Sequence, residues 1–312
     1  MATTTSITTS YAGEAAGAYI SAGLLSGSTI DNGGITVKPN IKFKEVIKTI
    51  STDDIVKDAS CDFDPTSTIT LDERIIQPEF QQVNLQLCKK DFQSDWEAAS
   101  MGFSAHDQLP PSFSDFLISH VAAKVAQRTE TSIWEGTTAT SGQFDGLTTL
   151  LDADAAHTGA RKIAGTTVDA ANVIAQLGSI VDVIPSTIYG SEDMNLYVSQ
   201  NIARAYVRAL GGFGSNGLGA AGTNAMGTQW WNNGSLTFDG VKIFVANGLA
   251  DNTAIAAEKS NLYFGTGLLS DQNEVKVIDM ADIDGSQNVR VVMRFSAGVQ
   301  YGIEDEIVSY GI

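Results

Sequence analysis

From Ile41 to about Phe92 the sequence alternates with a period of two. Ile41 and Phe43 alternate with Lys42 and Lys44, then Ile69/Leu71 and Val83/Leu85/Leu87 alternate with polar residues. Between these runs lies Ser51-Thr-Asp-Asp-Ile-Val-Lys-Asp-Ala-Ser-Cys-Asp-Phe-Asp-Pro65, acidic and rich in turn-forming residues. The pattern predicts a long two-stranded excursion with an acidic tip. Two strands alone are marginal in water, and open strand edges seek partners, so this excursion needs a surface supplied from elsewhere.

The N-terminus has the same need. Of residues 1–34, 23 are Thr, Ser, Ala or Gly, a composition that cannot build a packed core by itself. An arm of this kind is held in place by something else, and a neighbouring copy of the chain is the simplest candidate. The first ten residues carry no basic residue and no apolar core, which is not the pattern of a signal peptide.

Helical periodicity takes over at Pro110-Pro111-Ser-Phe-Ser-Asp115, where proline and a Ser-x-x-Asp capping pattern open a helix. Phe113, Phe116, Leu117, Val121, Val125 and Ile133 follow on one face until Gly136 stops the run. At 1.5 Å per residue this predicts a helix of roughly 35 Å. Gly142-Gln-Phe-Asp-Gly-Leu-Thr-Thr-Leu-Leu151 comes next, then a helix near Asp169 to Ile184, a strand from Met194 to Val198, and a helix from Ser199 to Leu210. The chain closes in strands: Leu236/Phe238 turn at Asp239-Gly240 into Val241/Ile243/Val245. Val275/Val277 pair across Asp284-Gly285 with Val289/Val291/Met293/Phe295, and Val299/Tyr301/Ile303 follow. Without a regular β-α-β rhythm, the fold class is α+β.

Charge and cysteines narrow the function. A formal charge of −17 with only 19 Lys and Arg does not suit a surface that neutralises nucleic-acid phosphates. Apolar stretches are interrupted by His120, Lys124 or glycines well before bilayer length, which predicts a soluble protein without a membrane partner. Cys61 and Cys88 match no CxxC or zinc pattern, and reduced thiols are expected.

Chemical motifs are sparse. Gly212, Gly214 and Gly217 form a G-x-G-x-x-G with Asp239 downstream, but a helix enters the glycines where a dinucleotide site needs a strand. Asp239 itself reads as a hairpin turn. His106, His120 and His157 show no ligand spacing, and His120 reads as a partly buried structural histidine. Asp53-Asp54 and Glu304-Asp305-Glu306 are adjacent acids on turns, which are ordinarily solvated. Asp282-Ile-Asp284-Gly285 lacks the first and last ligands of a calcium loop. Trp230-Trp231 reads as a loop anchor. No catalytic residue, cofactor or metal is expected, and the chain is read as a non-enzyme.

The order of parts, namely a Ser/Thr/Ala arm, an extended excursion, a long helix ending in a Phe144-Asp-Gly-Leu147 segment, an α/β portion and a β-rich close, resembles the major capsid proteins of tailed double-stranded DNA bacteriophages, the Johnson or Hong Kong ninety-seven fold. Ile69-Thr-Leu-Asp-Glu-Arg74 running to Leu85-Gln-Leu-Cys-Lys-Lys-Asp-Phe92, Leu236-Thr-Phe-Asp-Gly-Val-Lys-Ile243 and Leu262-Tyr-Phe-Gly-Thr-Gly267 are similar too. The resemblance implies an N-terminal arm at 1–40, an extended β-hairpin loop at 41–92, a peripheral domain with a long spine helix at 93–160 and 270–312, and an axial domain at 161–269.

It implies a shell of hexamers and pentamers that encloses DNA without sequence-specific binding, assembled in the host cytoplasm and located in the virion. The partners it implies are other copies of the chain, a portal, and scaffolding or decoration proteins. No long charged helical segment precedes the arm, so any scaffold is expected to be separate. Intersubunit contacts are expected at Asp53, Asp54, Lys57, Phe63 and Asp64 of the tip and at Glu73 and Arg74 of the returning strand. A Lys-to-Asn cross-link is not implied, because no motif supplies an acceptor for Lys57. The alternatives are an encapsulin-type nanocompartment shell and, more remotely, a nucleotide-binding enzyme built on Gly212–Gly217.

Overall fold

A computed structural model describes residues 28–59, 61, 65, 67–88, 111–211, 236–267 and 275–312. Two sheets and the helices on their outer faces enclose two main cores, with a two-stranded hairpin projecting from the body.

The first sheet is organised by one strand. Strict alternation buries Val289, Val291, Met293, Phe295, Ala297, Val299 and Tyr301, and this drives a single 14-residue strand, β12 (Asn288–Tyr301). Two separate runs were expected here, but Gly298 does not break the strand. A Cβ at Gly298 would lie 2.9 Å from the Gln77 carbonyl oxygen, so the glycine admits the Gln77-Pro78 corner instead. Antiparallel to β12 lie β4 (Glu79–Cys88) along one edge, and β10 (Leu262–Thr266) and β11 (Lys276–Asp279) along the other. Val277 is opposite Val291, as the alternation predicts. The short strand β1 (Thr36–Lys38) adds parallel to β10.

The long helix is α2 (Pro111–Glu135), 25 residues. Its Leu117 and Val121 pack on Val291 with Val83 and Leu87 of β4, and Ile133 and Trp134 enter the central core. The Phe-Asp-Gly-Leu-Thr-Thr segment has a clear physical task where α2 ends. Thr148 Oγ1 donates to Trp134 O and Thr149 Oγ1 to Gly136 O, each at 2.7 Å, and the Gly146 N–H donates to Gly136 O at 2.9 Å. Carbonyls left without helical partners are thereby satisfied by the first turn of α3 (Leu147–Ala153). Phe144, 2% exposed, fills the space beneath.

The second sheet is six-stranded and mixed. Its order is β5 (Lys162–Ile163), β13 (Val308–Tyr310), β9 (Ala254–Glu258), β6 (Met194–Val198), β8 (Val241–Val245) and β7 (Leu236–Phe238). Every residue of β6 is buried because both of its faces are covered. Met194, Leu196 and Val198 face α4 (Val173–Val181) and α5 (Gln200–Gly211), while Tyr197 faces the first sheet. The β7–β8 turn holds Asp239 at φ 44° and Gly240 at φ 80°, the two left-handed residues that a tight right-twisted hairpin requires. α5 runs into the glycine motif, and residues 212–235, with Trp230-Trp231, lie outside the described residues. Asp282-Ile-Asp284 forms a one-turn helix, α6 (Ala281–Asp284), ended by Gly285 at φ 71°.

Candidate assembly surface

Residues expected to form one excursion split into two structures. β2 (Glu45–Thr52) and β3 (Ile69–Ile76) form a separate antiparallel hairpin, whereas β4 belongs to the main sheet. The register aligns Val46 with Ile75, Lys48 with Glu73, Ile50 with Leu71 and Thr52 with Ile69, so all eight residues share one face. Val46, Ile50, Ile69, Leu71 and Ile75 are 41–73% exposed there. Five aliphatic side chains are thus uncovered on one face, Val46 and Ile75 on one side of the Lys48/Glu73 pair and Ile50, Leu71 and Ile69 on the other, on a sheet too thin to stabilise itself.

The opposite face is polar at its tip and anchored at its base. Ile47 and Ile76 are buried with Ile41 against Tyr263. Gly265 permits this: a Cβ there would approach the side chains of Ile76 and Ile41 to 2.6 and 2.8 Å. Beside them, Arg74 donates from Nη2 to Asp154 Oδ2 at 2.7 Å, and its guanidinium carbon stands 4.3 Å from the Tyr301 ring centroid. Tyr301 donates its hydroxyl to the same carboxylate oxygen at 2.7 Å. Burial pushes the Asp154 carboxyl up, but the Ala156 N–H, the Tyr301 hydroxyl and the Arg74 guanidinium outweigh it and hold the group at about 2. Burial and the bond to Asp154 raise the Tyr301 phenol.

The arm's last residues are seated on their own chain. A short turn, α1 (Ser28–Asp31), lies on α2, and Glu130, 1% exposed, accepts from the Thr29 N–H (3.0 Å), Thr29 Oγ1 (2.6 Å) and Ser28 Oγ (3.3 Å). Trp134 Nε1 donates to Thr29 Oγ1 at 2.8 Å. Burial raises the Glu130 carboxyl, against the bonds from Thr29, Ser28 and Gly248. Gly248 is required beside it, since a Cβ would lie 2.1 Å from the Glu130 carbonyl oxygen.

Of the expected contact residues, Asp53, Asp54, Lys57 and Glu73 are exposed on the hairpin and its tip, with Asp53 Oδ2 accepting from Thr68 Oγ1 at 2.8 Å. Arg74 is occupied within its own chain by Asp154. Phe63 and Asp64 lie outside the described residues. Cys61 and Cys88 are both free thiols.

The acids at 304–306 correct a sequence expectation. Glu304 is not solvated: 7% exposed, it lies 3.0 Å from His157 Nδ1 and 3.2 Å from Arg161 Nη1, while Asp305 keeps the solvated place and pairs with Arg161 at 2.7 Å. His157 Nε2 is 2.7 Å from Ser309 Oγ. Serine, histidine and glutamate thus stand in the connectivity of a hydrolytic triad. However, His157 is 1% and Ser309 0% exposed, the serine lying inside β13, so no substrate carbonyl reaches the hydroxyl. The cluster fastens β13 and the 304–306 turn to the segment after α3. Among the described residues no group of His, Cys, Asp or Glu is arranged to hold a metal, and no helix is long and apolar enough to cross a membrane.

The site is therefore a surface: a hairpin face with five uncovered aliphatic side chains, attached to a two-sheet body. The fold is that of phage capsid subunits. The chain is similar to the capsid of the Myoviridae phage XM1 (TM-score 0.59, 15% identity, 95% of this chain and 96% of that one). It is similar to the capsid of a native GTA particle (TM-score 0.59, 12%, 93% and 92%) and to Mycobacterium phage Ogopogo (TM-score 0.59, 12%, 94% and 94%). No protein-family model and no curated protein matches the sequence.

Proposed function

We propose that this chain is the major capsid protein of a tailed phage-like particle, self-assembling through hexamers and pentamers into a closed shell around double-stranded DNA. The observation that carries this reading is the aliphatic face of the β2–β3 hairpin, which is uncovered on a single chain and attached to a body with the capsid-subunit fold. Covering five side chains that are 41–73% exposed contributes on the order of 1–2 kcal/mol each, enough to order a hairpin that is marginal alone. The net charge of −17 suits a wall that contains DNA without gripping it.

In this reading residues 1–40 are the arm, 41–92 the extended loop, 93–160 with 270–312 the peripheral domain, and 161–269 the axial domain. The α4/α5-covered core built mainly from residues 168–256 supports the axial assignment, with β13 crossing back to complete its sheet. Portal, scaffolding and decoration proteins are the partners of such a shell, and the virion is its location.

Electron microscopy and sedimentation of the purified chain test the reading. Closed particles or capsomers are expected, with DNA as the natural content. A stable 33 kDa monomer at all concentrations sinks it, and enclosed protein cargo without nucleic acid replaces it with a nanocompartment.

A further inference from the structure

His120, Lys124 and Arg128 recur every fourth residue along α2, a spacing that puts them on one face of the helix. That face borders a cleft of about 420 Å³ between α2, β4 and the Ser141-Gly142 loop, with an apolar floor formed by Val83, Leu85, Val125 and Phe295. Among the described residues no acid lines it, in a chain with 36 acids.

The polar groups of the cleft carry donors that their own chain does not use. Arg128 donates from Nε and Nη2 to the carbonyls of Gly142 and Ser141, and Lys124 donates from Nζ to Gln127 Oε1, each at 3.3 Å. These acceptors are neutral, so both charges persist, and three guanidinium and two ammonium N–H groups remain for another acceptor. Gln81 also lines the cleft, and its Nε2 is buried with no acceptor among the described residues. A buried amide donor without a partner is costly, and an acceptor brought in by a ligand relieves that cost.

We propose that the β4–α2 cleft binds a small amphiphilic anion, an aliphatic carboxylic acid. Its head group accepts from Lys124, Arg128 and Gln81, and its chain covers Val83, Leu85 and Val125. The volume is in the range of small-ligand sites, and the floor is mainly branched aliphatic, which suits an alkyl chain. Neutral and cationic amphiphiles lack the pairing at the head group, and inorganic anions lack the contact with the floor. The site belongs to the single chain and does not depend on the shell-forming reading.

Calorimetric titration of the unassembled full chain with dodecanoate, below its micelle concentration, tests the proposal. Saturable binding at a single site is expected. Dodecanol and dodecyltrimethylammonium, which share the alkyl chain, should bind roughly tenfold or more weakly, and acetate should give no heat. Lys124→Gln with Arg128→Gln should weaken dodecanoate by about tenfold or more. Leu85→Asp, which sets a carboxylate on the floor at a position 44% exposed, should do the same. Arg290→Gln with Arg294→Gln, cations that do not line the cleft, should leave the affinity unchanged. Circular dichroism checks that each variant is folded. No saturable binding, equal binding of the cationic amphiphile, or undiminished affinity in the folded Lys124→Gln, Arg128→Gln chain each overturns the site.

Discussion

Arg74 and Asp154, 80 positions apart in the chain, meet at 2.7 Å and bind the base of the hairpin to the end of α3. The Asp154 carboxyl is held at about 2, below its unfolded value near 4. A depressed carboxyl stabilises the fold fully above the unfolded value and loses that contribution as pH falls through the folded one. Stability should therefore drop between about pH 4 and pH 2, and Asp154→Asn should flatten that part of the profile. Arg74→Ala should cost about 1 kcal/mol and speed hydrogen exchange at the hairpin base, measurable on unassembled chain.

The hairpin's aliphatic face should separate assembly from folding. Leu71 is 73% and Ile50 66% exposed on one chain, so Leu71→Asp or Ile50→Asp removes little that the chain itself buries. The melting temperature of the unassembled chain should move by less than about 2 °C, while light scattering shows no particles. A variant that assembles as well as the parent would remove the main support for the proposed function.

Glu130 carries the opposite pH signature to Asp154. Its carboxyl is raised by burial, so the charged form is the costly one, and stability falls as pH rises from the unfolded value through the raised folded value. Glu130→Gln should weaken this decline. It should also expose the Thr29 amide to faster exchange, because the Thr29 N–H and the two hydroxyls bond to different oxygens and the amide retains only one acceptor. Glu130→Ala, leaving the Ser28 and Thr29 donors without their acceptor, should cost about 2–3 kcal/mol by thermal denaturation.

Ser309 should behave as a structural residue. A fluorophosphonate probe is expected to leave the native chain unlabelled. Ser309→Ala should destabilise by about 1–3 kcal/mol, because His157 Nε2 loses its buried partner. Stoichiometric labelling that disappears with Ser309→Ala would instead establish an active hydrolytic site.

Where local pattern and tertiary role coincide, the sequence was sufficient. The Asp239-Gly240 turn needs two left-handed residues and uses the pair best suited to them, so register and turn were both legible. Met194–Val198 was legible as a short apolar run, and the long helix because Leu117, Val121 and Ile133 of its apolar stripe are buried. What escaped are contacts between distant segments. Nothing local distinguishes Glu130 from the solvated acids of other helices, although Trp134 one turn further along places it on a buried side. Glu304 looked solvated because its neighbours Asp305 and Glu306 are acidic, yet Arg161 and His157, more than 140 positions away, account for its burial. The separation of β4 from the hairpin was hidden for a related reason. Two-residue periodicity shows that a segment is extended, not which strand it pairs with.

The hairpin's anchorage has a mechanical consequence. Its hold on the body is concentrated at one end, in Ile47, Ile76 and the Arg74–Asp154 pair, while residues 50–52 of β2 and 69–73 of β3 are all exposed. Eight residues per strand make a lever of roughly 26 Å, so a tilt of about 10° at the fulcrum displaces the far end by about 4–5 Å. One rigid body can in this way span the differing gaps between neighbours on a surface of uneven curvature, the adjustment being taken up at a single pivot and not in the cores.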